Sequence, residues 1–415
     1  MNLIIVESPA KCLKIKHFLE SYFPNKCFNV ISTGGHIEEI KTPGLNIDVK
    51  DNFKTKYIFK NNNFVKSLLL NSKKADNIYI ATDLDYSGSF IGYSVCKLLN
   101  IDVKKAKRLI FNSITQSAII NAFNNPVELN INHVNYEKTR QIIDRLIGFK
   151  LSPLSYQYLR CQHNSVGRCQ TVALRLIVEK ENEIKDILDN KISSFYKIKV
   201  NFNLFNNSII ATNDIKESDI KTFNNKNLVF SIKEITKKQI SIEPDKPFIT
   251  STLQCSVSTR YNYSISFIMK VLQKLYERGL ITYIRTDCHN ISPDFKKKIQ
   301  EYIKSNYSVK YVNYDTKDSF VEHSQNGHEA IRITDLNLDI NTLDLTIPEK
   351  NIYNMIRFNT IQSQMKNNII DNFKIVFCNN LNKINVVSNI QCLIFDGFKL
   401  LNVNKEKYFQ FNDIK

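Results

Sequence analysis

Five short segments of the chain carry side chains able to do chemistry on a phosphate. Glu7, in Ile5-Val6-Glu7-Ser8-Pro9-Ala10-Lys11, and the pair in Asp83-Leu84-Asp85 each follow an apolar run. Carboxylates placed this way can converge on Mg²⁺, a hard ion that takes oxygen ligands and keeps several waters. The pair serves equally well as a solvated loop at a strand end, or as the partner of a nearby arginine. Tyr283 lies in Gly279-Leu280-Ile281-Thr282-Tyr283-Ile284-Arg285-Thr286-Asp287. A phenol is a poor nucleophile at its free pKa of about 10, so its use needs a nearby cation to favour phenolate. Arg285, two places on and hence on the same face of a strand, offers that charge and a bidentate grip on phosphate. Without context Tyr283 is equally one of 19 tyrosines packing in a sheet. His328-Glu329-Ala330-Ile331-Arg332 offers an imidazole and a guanidinium for the same anion. In Ser165-Val166-Gly167-Arg168-Cys169-Gln170 a glycine allows close backbone approach beside two donors, which suits a sugar-phosphate strand or, equally, a helix start after a loop.

The elements that must position these groups alternate in the first hundred residues. Leu3–Val6, Phe28–Ile31, Asn77–Ala81 and Leu109–Phe111 read as strands separated by helical patterns. That order predicts a parallel α/β sheet, whose functional groups gather at the carboxyl ends of the strands. Glu7 and the Asp83/Asp85 pair both fall there. Residues 134 to about 186 read as helical, Phe195–Leu204, Asn227–Ile235 and Lys374–Phe377 as strands with Asn-rich turns, and 250–280 as helical again. Ile352–Met365 is a further helix. Ile281–Asp287 reads as a strand because its apolar residues alternate.

Composition sets the class. At 415 residues, 43% hydrophobic and 23% charged, the chain is globular and long enough for several domains. Its 57 basic and 40 acidic residues leave a net charge of +17, which points to a polyanionic partner. Asn, Ile and Lys abound, so part of the lysine excess is equally a codon bias of an AT-rich genome. Nine cysteines without a C-x-x-C pair argue against a disulfide framework or a four-cysteine zinc site. The start lacks a basic region, and no apolar run approaches the ~18 residues of a membrane span. A cytoplasmic protein, of a bacterium or a viral factory, is expected, with no signal peptide and no membrane partner.

Taken in order, the segments around Glu7, Gly35-His36-Ile37, Ala81–Gly88, Arg140–Phe149, Ser165–Gln170, Pro247–Leu253, Leu275-Tyr276-Glu277, Ile281–Asp287 and His328–Arg332 resemble a type IA DNA topoisomerase of the bacterial topoisomerase I kind. The likeness runs through essentially the whole chain. It implies an α/β Toprim domain joined to mixed helical and β domains, a toroid-like arch that these residues hold in part. The divisions expected are 1–125 for the Toprim domain, 126–192 for a helical base region and 193–245 for the first part of a β-rich arch. Residues 246–338 would be the helical domain bearing the tyrosine, and 339–415 the return of the arch.

The resemblance further implies a monomeric, ATP-independent enzyme acting on single-stranded and negatively supercoiled DNA. Tyr283 would be the nucleophile that forms a 5′-phosphotyrosine, with Arg285 binding the phosphate. Glu7 would act as acid, base or metal ligand, and Lys11 as an acid near the leaving 3′-oxygen. Asp83 and Asp85 would hold Mg²⁺ with Glu7, while His328 would support Asp287 and the scissile phosphate. Strand contacts would come from His36, Arg140, Gln141, Asp144, Phe149, Tyr156, Ser165, Val166, Gly167, Arg168, Cys169, Gln170 and Arg285.

Three departures shape the expectations. The family's acidic motif usually runs Asp-x-Asp-Arg-Glu-Gly-Glu, whereas this chain has Tyr86, Ser87 and Ser89 at the Arg and Glu positions. Ser113 stands at a further usual Glu. Fewer carboxylates predict weaker Mg²⁺ binding. The family's later Gly-Ile-Gly-Arg-Pro-Ser-Thr-Tyr segment and zinc ribbons are not within the 415 residues, so strand cleavage and religation are expected to be easier to detect than processive relaxation. A diverged relative that binds or cleaves single strands without completing relaxation is the alternative.

Overall fold

A computed structural model describes residues 1–159, 164–189, 195–204, 207–216, 229–315, 328–380 and 385–401. Two compact units emerge, one formed by 1–172, 247–296 and 317–360, the other by 173–246, 297–316 and 361–415.

The first unit is built on four parallel strands, β1 (Asn2–Val6), β2 (Phe28–Ser32), β3 (Asn77–Ala81) and β4 (Lys107–Arg108), in the order β2-β1-β3-β4. β1 is central, and Leu3 to Val6 are wholly buried, as a continuous apolar run in a parallel sheet must be. Helices α1 (Cys12–Tyr22), α2 (Asn63–Ser72), α3 (Tyr86–Leu99) and α4 (Gln116–Asn124) follow in sequence. Leu3 and Ile5 meet Val65, Leu68 and Val95 of α2 and α3 on one face. Phe28, Tyr79 and Phe123 form an aromatic cluster elsewhere in the unit. β1 pairs with β2 on one side and β3 on the other, so successive connections leave it in opposite directions. That makes the carboxyl ends of β1 and β3 a topological switch point, where α/β sheets open a crevice.

The helical stretch read from 134 to 186 is two helices, α5 (Ile131–Leu159) and α6 (Arg168–Leu188). α5 packs on α3 through Val134 and Phe90, joined by Leu129 from the segment just before α5. α6 leaves Leu174, Leu176, Ile177 and Leu188 at 60–73% exposed. α7 (Thr250–Tyr261) and α8 (Ile265–Glu277) divide the next helical stretch, followed by α9 (Pro293–Asn306) and α10 (Ile347–Gln362).

The second unit holds an antiparallel sheet of β5 (Phe195–Leu204), β6 (Asn207–Lys216), β7 (Phe230–Ile242), β8 (Asn368–Asn379) and β9 (Asn385–Phe395), in the order β7-β8-β9-β6-β5. Ile198, Ile209, Ile375, Phe377, Val386 and Ile390 form its core. β7 outlasts the expected strand by seven residues, because its pairing with β8 continues to Ile242 opposite Asn368. Its lysines obscure the pattern in sequence, yet they suit an edge strand, where charge discourages pairing with another chain.

Ile281–Asp287 is not a strand. Ile281 makes one bridge to Ile333, then the backbone changes partners: Thr282 N donates to the Arg332 carbonyl and Tyr283 N to that of Asn112. Two different segments hold it, so no ladder forms. Among the described residues no helix is long and apolar enough to cross a membrane.

Candidate functional site

At the switch point the chain leaves β1 into Glu7 and leaves β3 into Thr82-Asp83-Leu84-Asp85. Val6 lies opposite Ala81 in register, so the two exits are side by side. The tight entry to α3 depends on Gly88, since a Cβ there would lie 2.1 Å from the Asp83 carbonyl oxygen. Asp85 caps the helix, its Oδ1 accepting from Gly88 N at 2.7 Å. Its other oxygen, Oδ2, accepts from the Tyr283 hydroxyl at 2.7 Å and from Arg285 Nη1 at 3.5 Å. Tyr283 and Arg285 therefore converge on one carboxylate without a strand between them. Asp83 forms an ion pair with Lys11, whose ammonium is fully buried and lies 4.9 Å from the centre of the Tyr276 ring.

The charges act strongly on one another because water is scarce. Glu7 is pushed up to about 7, chiefly by burial and then by the negative charges of Asp83 and Asp85, against the pull of Lys11 and Arg285. The Tyr283 phenol is raised far above its ordinary value, first by burial and then by Asp85, Asp83 and the hydrogen bond it gives Asp85. Arg285 opposes this shift and does not prevail. Arg285 acts in the expected direction, toward phenolate, but burial and the two carboxylates outweigh it: the phenol is held neutral, with its proton aimed at a carboxylate.

His328 is 9% exposed, and its ring sits edge-on to Tyr283 at 6.1 Å. Its Nε2 contacts the Leu84 carbonyl at 3.3 Å rather than Asp287, which is exposed. His36 Nε2 lies 2.7 Å from Ser87 Oγ. The other expected strand contacts lie on α5 and at the start of α6. Gln141 meets Tyr57 and Glu137, Arg140 meets Glu137 and Asp144, and Arg168 binds Asp144 at 3.0 Å. Phe149 and Tyr156 are exposed. Gln170 folds back onto Ser165, Val166 N binds Ser152, Gly167 N binds Thr171, and Cys169 is exposed.

Several participants carried no signal strong enough to single out. Arg108, 2% exposed, donates to Ser89 Oγ at 2.6 Å and to the Asp83 carbonyl at 2.9 Å. Burial lowers it to about 10, with Asp85 and Asp83 partly offsetting. α8 lines a cavity of about 440 Å³ beside Glu7, Asp83 and Arg285 with Lys270, Gln273 and Lys274. The i, i+4 spacing of the two lysines was the available clue. Ser8 donates to Glu277 at 2.7 Å, which gives the Leu275-Tyr276-Glu277 segment its place. A cavity lined by Lys270, Lys274 and Arg285 together with Glu7 and Asp83 suits an anionic phosphodiester.

Known proteins bear on this arrangement. A family model described as Toprim domain matches residues 2–114, and one described as DNA topoisomerase matches 128–413. A DNA topoisomerase 1 of Campylobacter jejuni is 34% identical over 433 aligned positions, covering 96% of this chain and 59% of that protein. The chain thus spans a little under three fifths of the length of that curated relative. The full-length topoisomerase I structure from Thermotoga maritima superposes with a TM-score of 0.84 at 25% identity, covering 99% of this chain and 68% of that one.

Proposed function

The chain belongs to the type IA DNA topoisomerase family, and from that membership we propose that it breaks and rejoins one DNA strand at a time through a bond between Tyr283 and a 5′-phosphate. The observation that carries this reading is the Tyr283 hydroxyl held 2.7 Å from Asp85 Oδ2, with Arg285 on the same oxygen. A phosphate entering beside them would take Arg285 from Asp85 and bring its phosphorus to the phenol. As Tyr283 Oη bonds to phosphorus, its proton passes to Asp85 and the bond to the 3′-oxygen breaks. Glu7, half-protonated near neutral pH, or the buried Lys11 supplies the proton that the 3′-oxygen takes. Reversal reseals the strand, and because the phosphodiester is exchanged rather than hydrolysed no nucleotide is consumed.

Toprim domains generally bind a divalent metal. Mg²⁺ is often held by one or two carboxylates, waters and substrate phosphates, and the residues here fit that pattern weakly. No hydrogen-bond donor among the described residues reaches the Glu7 carboxylate, and Asp83 and Asp85 repel its charge. No three His, Cys, Asp or Glu side chains among the described residues are grouped to hold an ion. Glu7 with Asp83 or Asp85 would hold Mg²⁺ together with the DNA phosphate, and the ion would supply neutralisation of phosphate charge.

The substrates proposed are single-stranded and negatively supercoiled DNA, bound by a monomer. His36, Arg140, Gln141, Asp144, Phe149, Tyr156 and 165–170 would contact the strand, with His328 and Asp287 near the scissile phosphate. The division at 125, 192, 245 and 338 belongs to the same proposal.

Incubation with a labelled oligonucleotide is expected to leave a denaturant-resistant adduct, and Tyr283→Phe to bind the strand without forming one. An adduct surviving in Tyr283→Phe would remove the assignment. A second reading, cleavage without completed relaxation, is favoured by the hydroxyls of Ser87 and Ser89, which His36 and Arg108 already engage. Adduct formation with no relaxation of supercoiled plasmid would select it.

A further inference from the structure

Tyr86, the residue after Asp85, stands where the acidic motif it resembles carries arginine. Its ring stacks on that of Tyr136 from α5, with centres 5.2 Å apart and planes at 21°. His133, one turn earlier on α5, meets Tyr86 edge-on at 5.0 Å. Three aromatic rings thus form a cluster directly beside the carboxylate that holds the Tyr283 hydroxyl.

A purely structural pin between α3 and α5 would bury both tyrosines. That task is already performed by Phe90, Leu129 and Val134, each at most 5% exposed. Tyr136 is instead 63% exposed. One face of its ring is covered by Tyr86, so the exposure belongs to the other face and the edges. Arg140, one turn further along the same side of α5 and 60% exposed, sets a guanidinium next in line. Burial lowers His133, and the positive charges of Arg108 and His328 act in the same direction. The His133 ring forms an aromatic wall against Tyr86, and Tyr86 directly follows the Asp85 that accepts from Tyr283.

We propose that Tyr136, backed by Tyr86, is a stacking platform for one unpaired base of the DNA strand next to the scissile phosphate. Every base has a π face, so such a platform accepts any sequence while fixing where the strand lies; base–aromatic stacking is worth about 1–3 kcal/mol per base. Arg140 follows as a contact for the adjoining phosphate. Tyr136 is here a positioning residue that acts on the strand rather than on the reacting atoms. The proposal rests on the reading of Tyr283 as the DNA-linked nucleophile.

The test is an abasic scan. A short single-stranded oligonucleotide is made with one base removed at each successive position, and binding is followed by fluorescence anisotropy. Wild-type protein is expected to lose about tenfold in affinity at one position and little at its neighbours. Tyr136→Ala should bind the intact strand about tenfold more weakly and show no dip at that position, while Tyr136→Phe restores the dip. A flat wild-type scan, or an unchanged dip in Tyr136→Ala, overturns the platform. Adduct formation on the intact strand reports separately on the reaction. An adduct with a flat scan removes the platform alone, whereas a dip without an adduct removes the function and leaves the platform standing as a base-binding site.

Discussion

Glu7 shows how much one side chain owes to its surroundings. Its carboxyl titrates near 7 in the folded protein against an ordinary value of 4.5. Between those values the folded state binds more protons than the unfolded one, so stability falls as pH rises through that window and levels off above it. Glu7→Gln removes the liability. The variant is expected to match wild type below about pH 4.5 and to exceed it above neutrality by up to ~3 kcal/mol. Melting temperatures of both proteins across that range decide the matter, and a difference independent of pH would show that the shift is absent. The chemical types at the site were legible residue by residue, because a tyrosine beside an arginine and an Asp-x-Asp after an apolar run are local patterns. The protonation of Tyr283 was not, since burial and the charges of Asp83 and Asp85 outweigh the arginine two places away.

Between residue and fold stands the turn from β3 into α3. Asn77–Ala81 was readable as a strand to the residue, because an apolar run ending in polar residues is a short-range signal. Why the turn holds together was not readable. Gly88 must lack a Cβ to approach Asp83, and Asp85 must cap the helix while accepting from Tyr283. Gly88→Ala is expected to cost about 1–3 kcal/mol, as overpacking does, and to abolish adduct formation by displacing both acids. Urea denaturation together with the adduct assay measures the two effects; a variant with unchanged stability and cleavage would mean that the turn tolerates the methyl. Ile281–Asp287 is the opposite case. Alternation predicted a strand, but its backbone partners sit on two separate segments, around Asn112 and Arg332.

For the molecule as a whole, the net charge of +17 is the property most open to test. If it serves binding, affinity for a single strand falls with salt, with a log–log slope of about −0.7 for each phosphate neutralised. A flat response would assign the lysine excess to codon usage. By itself the sequence determined the order of the motifs, the parallel α/β start, and the placing of Glu7 and the Asp83/Asp85 pair after strands. Those features follow from short-range periodicity and from residues that act within a few positions of one another. Only the tertiary structure decided that Tyr283 reaches Asp85 across 198 residues of chain. It likewise decided that Arg108 lies buried under the acidic loop and that Tyr136 meets Tyr86. Electrostatics and stacking depend on distance through space and on the exclusion of water, and neither is written in the spacing of residues along the chain.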